Sequence, residues 1–224
     1  MSDSADLLLD GFNENLAVEI GPQHLPALLG LPDDAHGLVI FAHGSGSDRF
    51  SPRNNYVAEQ LRHAGLGTLL LDLLTPTEDR DRHNAFDIEL LAQRLVLANE
   101  WAGADPRTRH LSIGYFGANT GAAAALIASI GIPNRNVSAI VSRGGRPDLA
   151  ATILPEVQAP TLLLVGGDDD GVLELNQAAY AALHATKQLI VVPGAGHLFE
   201  EPGALDVVVA YAIQWFGMHL RETH

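Results

Sequence analysis

Six short apolar runs, each separated from the next by a stretch of helical period, constrain this chain more than any other feature. They occupy residues 37–42, 67–73, 111–116, 137–142, 160–165 and 188–192. Each is apolar over most of its length, as strands buried on both faces of a parallel sheet are. Periodicity alone does not separate such a run from a buried helix; the short lengths and flanking Gly and Pro favour strand. An earlier, more alternating segment over 15–20 reads as an antiparallel edge strand. Helical period covers 52–64, 86–101, 120–130, 172–184 and 205–220. Pro52 suits a first helical turn with Ser51 as its N-cap, and Gly65 suits the position past the end. Ile88, Leu91, Leu95 and Ala98 share one face of the second helix. Alternation of this kind predicts an α/β fold: a mostly parallel, doubly wound sheet with helices on both faces. No loop is long enough to supply a large lid, and residues 1–224 read as a single domain.

Composition narrows the partners. The 224 residues carry 13 Lys and Arg against 27 Asp and Glu, a formal charge of −14. Such a surface repels phosphate backbones and anionic membranes, so no nucleic-acid or membrane partner is expected. There is no cysteine, hence no disulfide framework, thiolate nucleophile or sulfur-ligated metal. The first residues lack the basic region of a signal peptide. The longest nearly unbroken apolar stretch, 121–132, is too short to span a bilayer. A cytoplasmic protein is the expectation. Residues 75–84 are strongly charged and read as a solvated loop. Glu78, Asp79, Asp81 and His83 within it lack metal-ligand spacing, and no metal is expected.

In a doubly wound sheet, function belongs at the carboxyl ends of the strands. The first of the six runs leads into Ala42-His43-Gly44-Ser45-Gly46-Ser47, and the third into Gly117-Ala118-Asn119-Thr120-Gly121 and an alanine-rich helix. The fifth ends Val165-Gly166-Gly167-Asp168-Asp169-Asp170, and the last Val192-Pro193-Gly194-Ala195-Gly196-His197.

This order of a strand–Gly-x-x-x-Gly–helix, an acid and a histidine resembles the α/β-hydrolase superfamily. The strings His43-Gly44-Ser45-Gly46-Ser47 with Ser51-Pro52-Arg53-Asn54, and Ser142-Arg143-Gly144-Gly145-Arg146-Pro147, look like its dienelactone-hydrolase-related branch. The resemblance runs from about residue 37 to 216. It implies a nucleophile elbow at position 119, His197 as general base and Asp169 as the acid that orients it. Asp168 and Asp170 are rival acids, because sequence does not resolve a one-residue shift in a loop. The oxyanion donors it implies are the backbone N–H groups of Ser45 and Thr120. Small residues at 117 and 121 suit the tight turn, and Ala122–Ala125 let the helix sit close to the sheet. No cofactor is implied; the expected partner is a small-molecule ester, lactone or thioester, bound by a monomer or homodimer.

One residue departs from the pattern. Position 119 is Asn where the resemblance expects Ser, or Cys in some relatives. A carboxamide nitrogen is a poor nucleophile, since its lone pair is delocalised into the carbonyl, so ester hydrolysis is predicted absent or strongly reduced. Asn does tolerate positive φ, which the elbow demands, and it has the polar reach to hydrogen-bond His197. Three accounts fit: a substitution made to disarm a serine hydrolase, divergence to a binding role, or catalysis by another route. That route is deamidation to Asp, or a water activated by His197 with the oxyanion donors retained. Thr120 in place of Gly after the Asn makes deamidation slow. The competing class is a non-catalytic ligand- or partner-binding protein on the same fold. A third, a phosphoribosyltransferase-linked partner, follows only from relatives fused to such domains, and no such second domain is read here.

His43, in a strand-end turn, reads as a donor stitching the oxyanion loop that also borders substrate. Arg49 and Arg53 are candidates to line the mouth and meet an anionic substrate, or to pair with carboxylates. Arg143 and Arg146 read as structural pairing in a shaped loop. Phe199 either touches the pocket or staples a helix entry. Trp101 and Trp215 read as packing residues, and His219 as a frayed tail.

Overall fold

The computed structural model describes residues 15–44, 46–131 and 137–220. Its eight strands are β1 (Leu16–Ile20), β2 (Leu25–Gly30), β3 (Gly37–Ala42), β4 (Gly67–Leu71), β5 (Ser112–Ala118), β6 (Val137–Arg143), β7 (Thr161–Gly166) and β8 (Lys187–Val192). They form one sheet in the order β1-β2-β4-β3-β5-β6-β7-β8. The two pairings that involve β2 are antiparallel, and the other five are parallel. β1 is therefore the expected antiparallel edge, although β2 was not read from the sequence. Pro26 argues against a strand there, yet it lies one residue from the end of the strand, and the Asp72 N–H donates to its carbonyl at 3.1 Å.

Five of the six runs bury both faces as predicted; the sixth, β8, lies at the edge of the sheet with Gln188 and Val191 exposed. Leu38 and Ile40 of β3 enter one apolar cluster; Val39 and Phe41 enter the other. The first cluster is covered by α2 (Ile88–Ala104), α3 (Thr120–Ile130) and α4 (Asp170–Ala182), the second by α1 (Pro52–His63) and α5 (Ala204–His219). Ser51 caps α1 through its side chain, and Gly65 lies just past its end at φ 79°. Asp87 accepts from the Leu90 N–H at 3.0 Å and starts α2 two residues later than its periodicity suggests. The apolar face of α2 is buried as expected, with Leu95 and Ala98 inaccessible.

Besides β2, three 3-10 segments escaped the sequence reading. A 3-10 segment over Pro147–Glu156 packs Ala150 and Leu154 onto the first cluster. The charged 75–84 segment holds a 3-10 turn, and a second turn follows it (Glu78–Arg80 and Asn84–Phe86). His219 is not frayed: its ring meets the edge of Trp215 at 4.6 Å. No helix among the described residues is long and apolar enough to cross a membrane.

Candidate active site

The turn from β5 into α3 is built by close approach. A Cβ on Gly121 would stand 2.0 Å from the Ala42 carbonyl oxygen, and one on Gly117 2.5 Å from Ala122 Cα. Neither position admits a side chain, so the backbone is forced through a sharp bend. Asn119 sits at its apex with φ 49° and ψ −123°, a conformation rare outside glycine. Its carbonyl accepts from the N–H groups of Ala122 and Arg146, both at 3.1 Å. The bend is thereby tied to the loop after β6. Among the described residues the Asn119 carboxamide has no hydrogen-bond partner, so the bond expected to His197 is not made. Thr120 is fully buried at the start of α3, and its N–H has no acceptor among the described residues. Ser45, the other expected oxyanion donor, lies outside the described residues.

Asp169 and His197 come together on neighbouring loops. A Cβ on Gly166 would stand 2.2 Å from the Ala195 carbonyl oxygen, and the Asp168 N–H donates to that same oxygen at 3.0 Å. These contacts hold the loop after β7 against the loop after β8. His197 Nδ1–H then donates to Asp169 Oδ2 at 2.7 Å. Of the three consecutive acids, Asp169 is the one that reaches the imidazole; Asp170 opens α4. The pair is partly shielded, with side chains 35% and 15% exposed for His197 and Asp169. An imidazole held by Nδ1 presents Nε2 as the free proton acceptor. Gly144 backs it, since a Cβ there would lie 3.5 Å from His197 Nδ1.

On the other side, the loops after β3 and β4 enclose a cavity of about 200 Å³. Its lining includes His43, Gly44, Ser47, Asp72, Leu73 and Leu91. Gly44 joins it to the bend, because a Cβ there would lie 2.6 Å from Asn119 Cβ. His43 Nδ1–H donates to the Gly44 carbonyl at 3.3 Å, as expected of a residue stitching this loop, while its buried Nε2 makes no hydrogen bond and lies 3.9 Å from Asp72 Oδ1. Burial lowers its pKa below the ordinary 6.5, against the opposing pull of the Gly44 carbonyl and Asp72.

Arg49 and Arg53, read either as mouth residues or as partners of carboxylates, both pair with carboxylates, and Phe199 faces the core rather than the cavity. Arg49 is bound to Asp72 through its guanidinium and, at 2.8 Å, through its backbone N–H, so it braces two loops. Arg53 Nη1 pairs with Glu200 at 2.6 Å at the edge of the site. Phe199 is a core residue, 2% exposed and held at φ 55° beneath the His197 loop. Its apolar ring is worth more in the second cluster than against a polar site. Arg146 makes the predicted structural pairing, a two-pronged contact with Asp148 at 2.8 and 2.7 Å. Arg143 does not: it is 7% exposed, and among the described residues it has no ion pair. Burial, followed by the charge of Arg53, pushes its pKa down to about 10. Asp72 was missed, although an acid immediately after a central strand was the available signal. In the charged loop, Glu78 pairs with Arg94 at 2.7 Å and Asp81 with His83 at 2.9 Å.

The chain is 53% identical to a crystallised dienelactone hydrolase from Anabaena variabilis, covering 93% of this chain and 98% of that one with a TM-score of 0.89. The chain belongs to the dienelactone hydrolase family of α/β hydrolases. A lidless α/β serine hydrolase from Xanthomonas campestris shares the family's fold at 19% identity, covering 95% of this chain and 98% of that one, with a TM-score of 0.75. A Mycobacterium tuberculosis protein provisionally named a phosphoribosyl transferase is 56% identical over 208 residues, 93% of this chain. The matched part is 47% of that protein, so the chain spans about half the length of this curated relative. No family model matches the chain.

Proposed function

We propose that the chain is a serine-hydrolase-type α/β hydrolase for carboxylic esters, lactones or thioesters, in which Asn119 occupies the nucleophile position. The observation that carries this reading is the 2.7 Å contact of His197 with Asp169, formed at the same sheet edge as the positive-φ bend at Asn119. In the parent chemistry, a hydroxyl at 119 attacks the acyl carbon and His197 Nε2 takes its proton. Asp169 holds Nδ1–H and stabilises the imidazolium. The backbone N–H groups of Thr120 and Ser45 receive the developing oxyanion, worth most where water is excluded. His197 then returns the proton to the leaving group, and water repeats the cycle on the acyl-enzyme.

Asn119 keeps the bend and removes the attacking atom. Ester turnover by the chain as it stands is absent or limited to the residual effect of the oxyanion donors and binding, roughly 10³–10⁴-fold over water where a nucleophile has been removed elsewhere. The test is Asn119→Ser. This variant hydrolyses p-nitrophenyl acetate faster than the parent by orders of magnitude and is labelled by a fluorophosphonate probe. Equal rates in the two proteins overturn the assignment of position 119.

A second reading is favoured by the same residue. With the pocket retained and the nucleophile absent, the fold serves as a ligand- or partner-binding protein. It predicts that Asn119→Ser remains unlabelled by fluorophosphonate.

A further inference from the structure

The backbone at Asn119 has a property that its side chain alone does not reveal. With φ at 49°, its ψ is −123°. In an L residue Cβ stands roughly 120° around the Cα–C axis from the residue's own nitrogen. At this ψ the Thr120 nitrogen is therefore eclipsed with Asn119 Cβ to within a few degrees. In a helix or a strand the same nitrogen is roughly 80° or more away. Eclipsing is the geometry of a closed ring through Cα, Cβ and Cγ of Asn119, the Thr120 nitrogen and the Asn119 carbonyl carbon. The surroundings hold it, not the side chain at 119. Gly117 and Gly121 leave no room for a Cβ, and the Asn119 carbonyl is fixed by the N–H groups of Ala122 and Arg146 at 3.1 Å.

Both groups that such a ring joins are unengaged. Thr120 is the first residue of α3, where N–H groups lack intrahelical acceptors, and its own N–H has no acceptor among the described residues. A nitrogen without hydrogen costs a helix nothing at this place, as the preference for Pro there shows. The Asn119 side chain makes no capping bond, and the residue is half-buried, within reach of water. We propose that Asn119 is a self-modification site, converted to Asp through a cyclic imide with Thr120. The Thr120 nitrogen bonds to Cγ as the Cγ–Nδ2 bond breaks, and the Thr120 amide proton leaves, through water, with Nδ2 as ammonia. Water then adds to the side-chain carbonyl of the imide and breaks the new C–N bond. A proton returns to the Thr120 nitrogen, and a carboxylate remains at position 119. The net change consumes one water and releases one ammonia. In a flexible chain a β-branched residue after Asn slows closure, because it restricts the rotation that brings its nitrogen over the side chain. Here the fold has already made that rotation, so the slowing expected from Thr120 is offset. The carboxamide is thus a precursor, and its conversion returns an ionisable oxygen to the apex of the bend. The inference rests on the bend and stands without the hydrolase reading.

Peptide mapping of the unaltered chain, made by cell-free synthesis and incubated at neutral pH, tests it against the same chain unfolded in guanidinium chloride. In the native chain the peptide bearing residue 119 passes from the Asn to the Asp mass about tenfold faster or more, since the rare backbone conformation is already adopted. Ammonia appears in equal amount, while Asn99 and Asn176, on helices α2 and α4, stay unchanged. Hydroxylamine added during the incubation captures the ring at residue 119. Isoaspartate accompanies Asp there, because an imide opens at either carbonyl. Asn119→Gln keeps its carboxamide, since the extra methylene enlarges the ring and slows closure. The inference is overturned if the native chain converts no faster than the unfolded one. It is equally overturned if Asp appears with neither isoaspartate nor a captured ring, or if Asn119→Gln converts at the parent's rate, as direct hydrolysis by water predicts. The native-against-unfolded comparison needs no variant, so it decides the matter even if Asn119→Gln misfolds. Conversion of the unaltered chain beside an Asn119→Ser protein inert to p-nitrophenyl acetate overturns the hydrolase reading and leaves the modification standing. An active Asn119→Ser protein beside a stable Asn119 does the reverse.

Discussion

The two halves of the site are held by different forces. On one side, the bend at Asn119 and the Asp169–His197 pair are positioned by backbone packed against backbone at Gly117, Gly121 and Gly166. On the other, the loops after β3 and β4 are held by charge: Arg49 with Asp72, and Glu78 with Arg94. Steric contacts do not respond to pH, and charge pairs do. The backbone frame of the first half is therefore insensitive to pH and rejects a single methyl group, whereas the frame of the second responds to protonation.

The largest expected effect tests the chemistry of the first half. In the Asn119→Ser background, Asp169→Asn lowers kcat for p-nitrophenyl acetate by about 10⁴-fold, the scale seen when the orienting acid of another triad is neutralised. The denaturation midpoint moves little, so a drop of less than tenfold breaks the assignment. Gly121→Ala is next. Its Cβ has no room beside the Ala42 carbonyl, and the loss in urea denaturation is about 3 kcal/mol or more. A near-neutral result shows that the bend is not sterically fixed.

The second half is probed more gently. Glu78→Gln leaves Arg94, whose side chain is 8% exposed, without its carboxylate, at a loss of about 2 kcal/mol after allowance for the partial exposure of Glu78. Burial opposes ionisation of Glu78, but the Thr75 N–H and hydroxyl with Arg94 outweigh it and hold its pKa below 4.5. The folded state thus binds fewer protons than the unfolded one, and stability from Glu78 is lost as pH falls below that value. His43 has the same sign for a different reason. Its folded pKa lies below 6.5, so stability present above 6.5 declines as the pH drops towards the folded value. His43→Gln flattens the fall in melting temperature below pH 6.5; an unaltered pH profile breaks the comparison. The smallest effect is expected at Asp81, which pairs with a fully solvated His83, and Asp81→Asn leaves the melting temperature unchanged.

Some of the architecture was legible because its cause is local. The largely apolar runs, the Ser51 cap and the spacing of Ile88, Leu91, Leu95 and Ala98 each follow from a few adjacent residues. β2 was hidden by Pro26, which is tolerated only because of its place near the strand end. The 3-10 segment after β6 has no repeating period to detect. Within the site, Asp169 was chosen over Asp168 and Asp170 by resemblance, and the contact with His197 is a property of the folded loops. Arg49 and Phe199 each stay open between two sequence readings for a related reason. A charged or aromatic residue near a motif has no address until a distant partner supplies one, here Asp72 for Arg49 and the α5-side core for Phe199.

By itself, the sequence determined the order of strands and helices, the glycines at the bend, and the residue at position 119. These depend on period, backbone freedom and chemical identity, all of which are carried along the chain. Only the tertiary structure decided which acid holds His197, that Arg94 is neutralised by Glu78, and that Arg143 is buried with no carboxylate partner among the described residues. Those outcomes depend on which distant groups share a low-dielectric space, and Coulomb energy there is set by distance and burial rather than by separation along the chain.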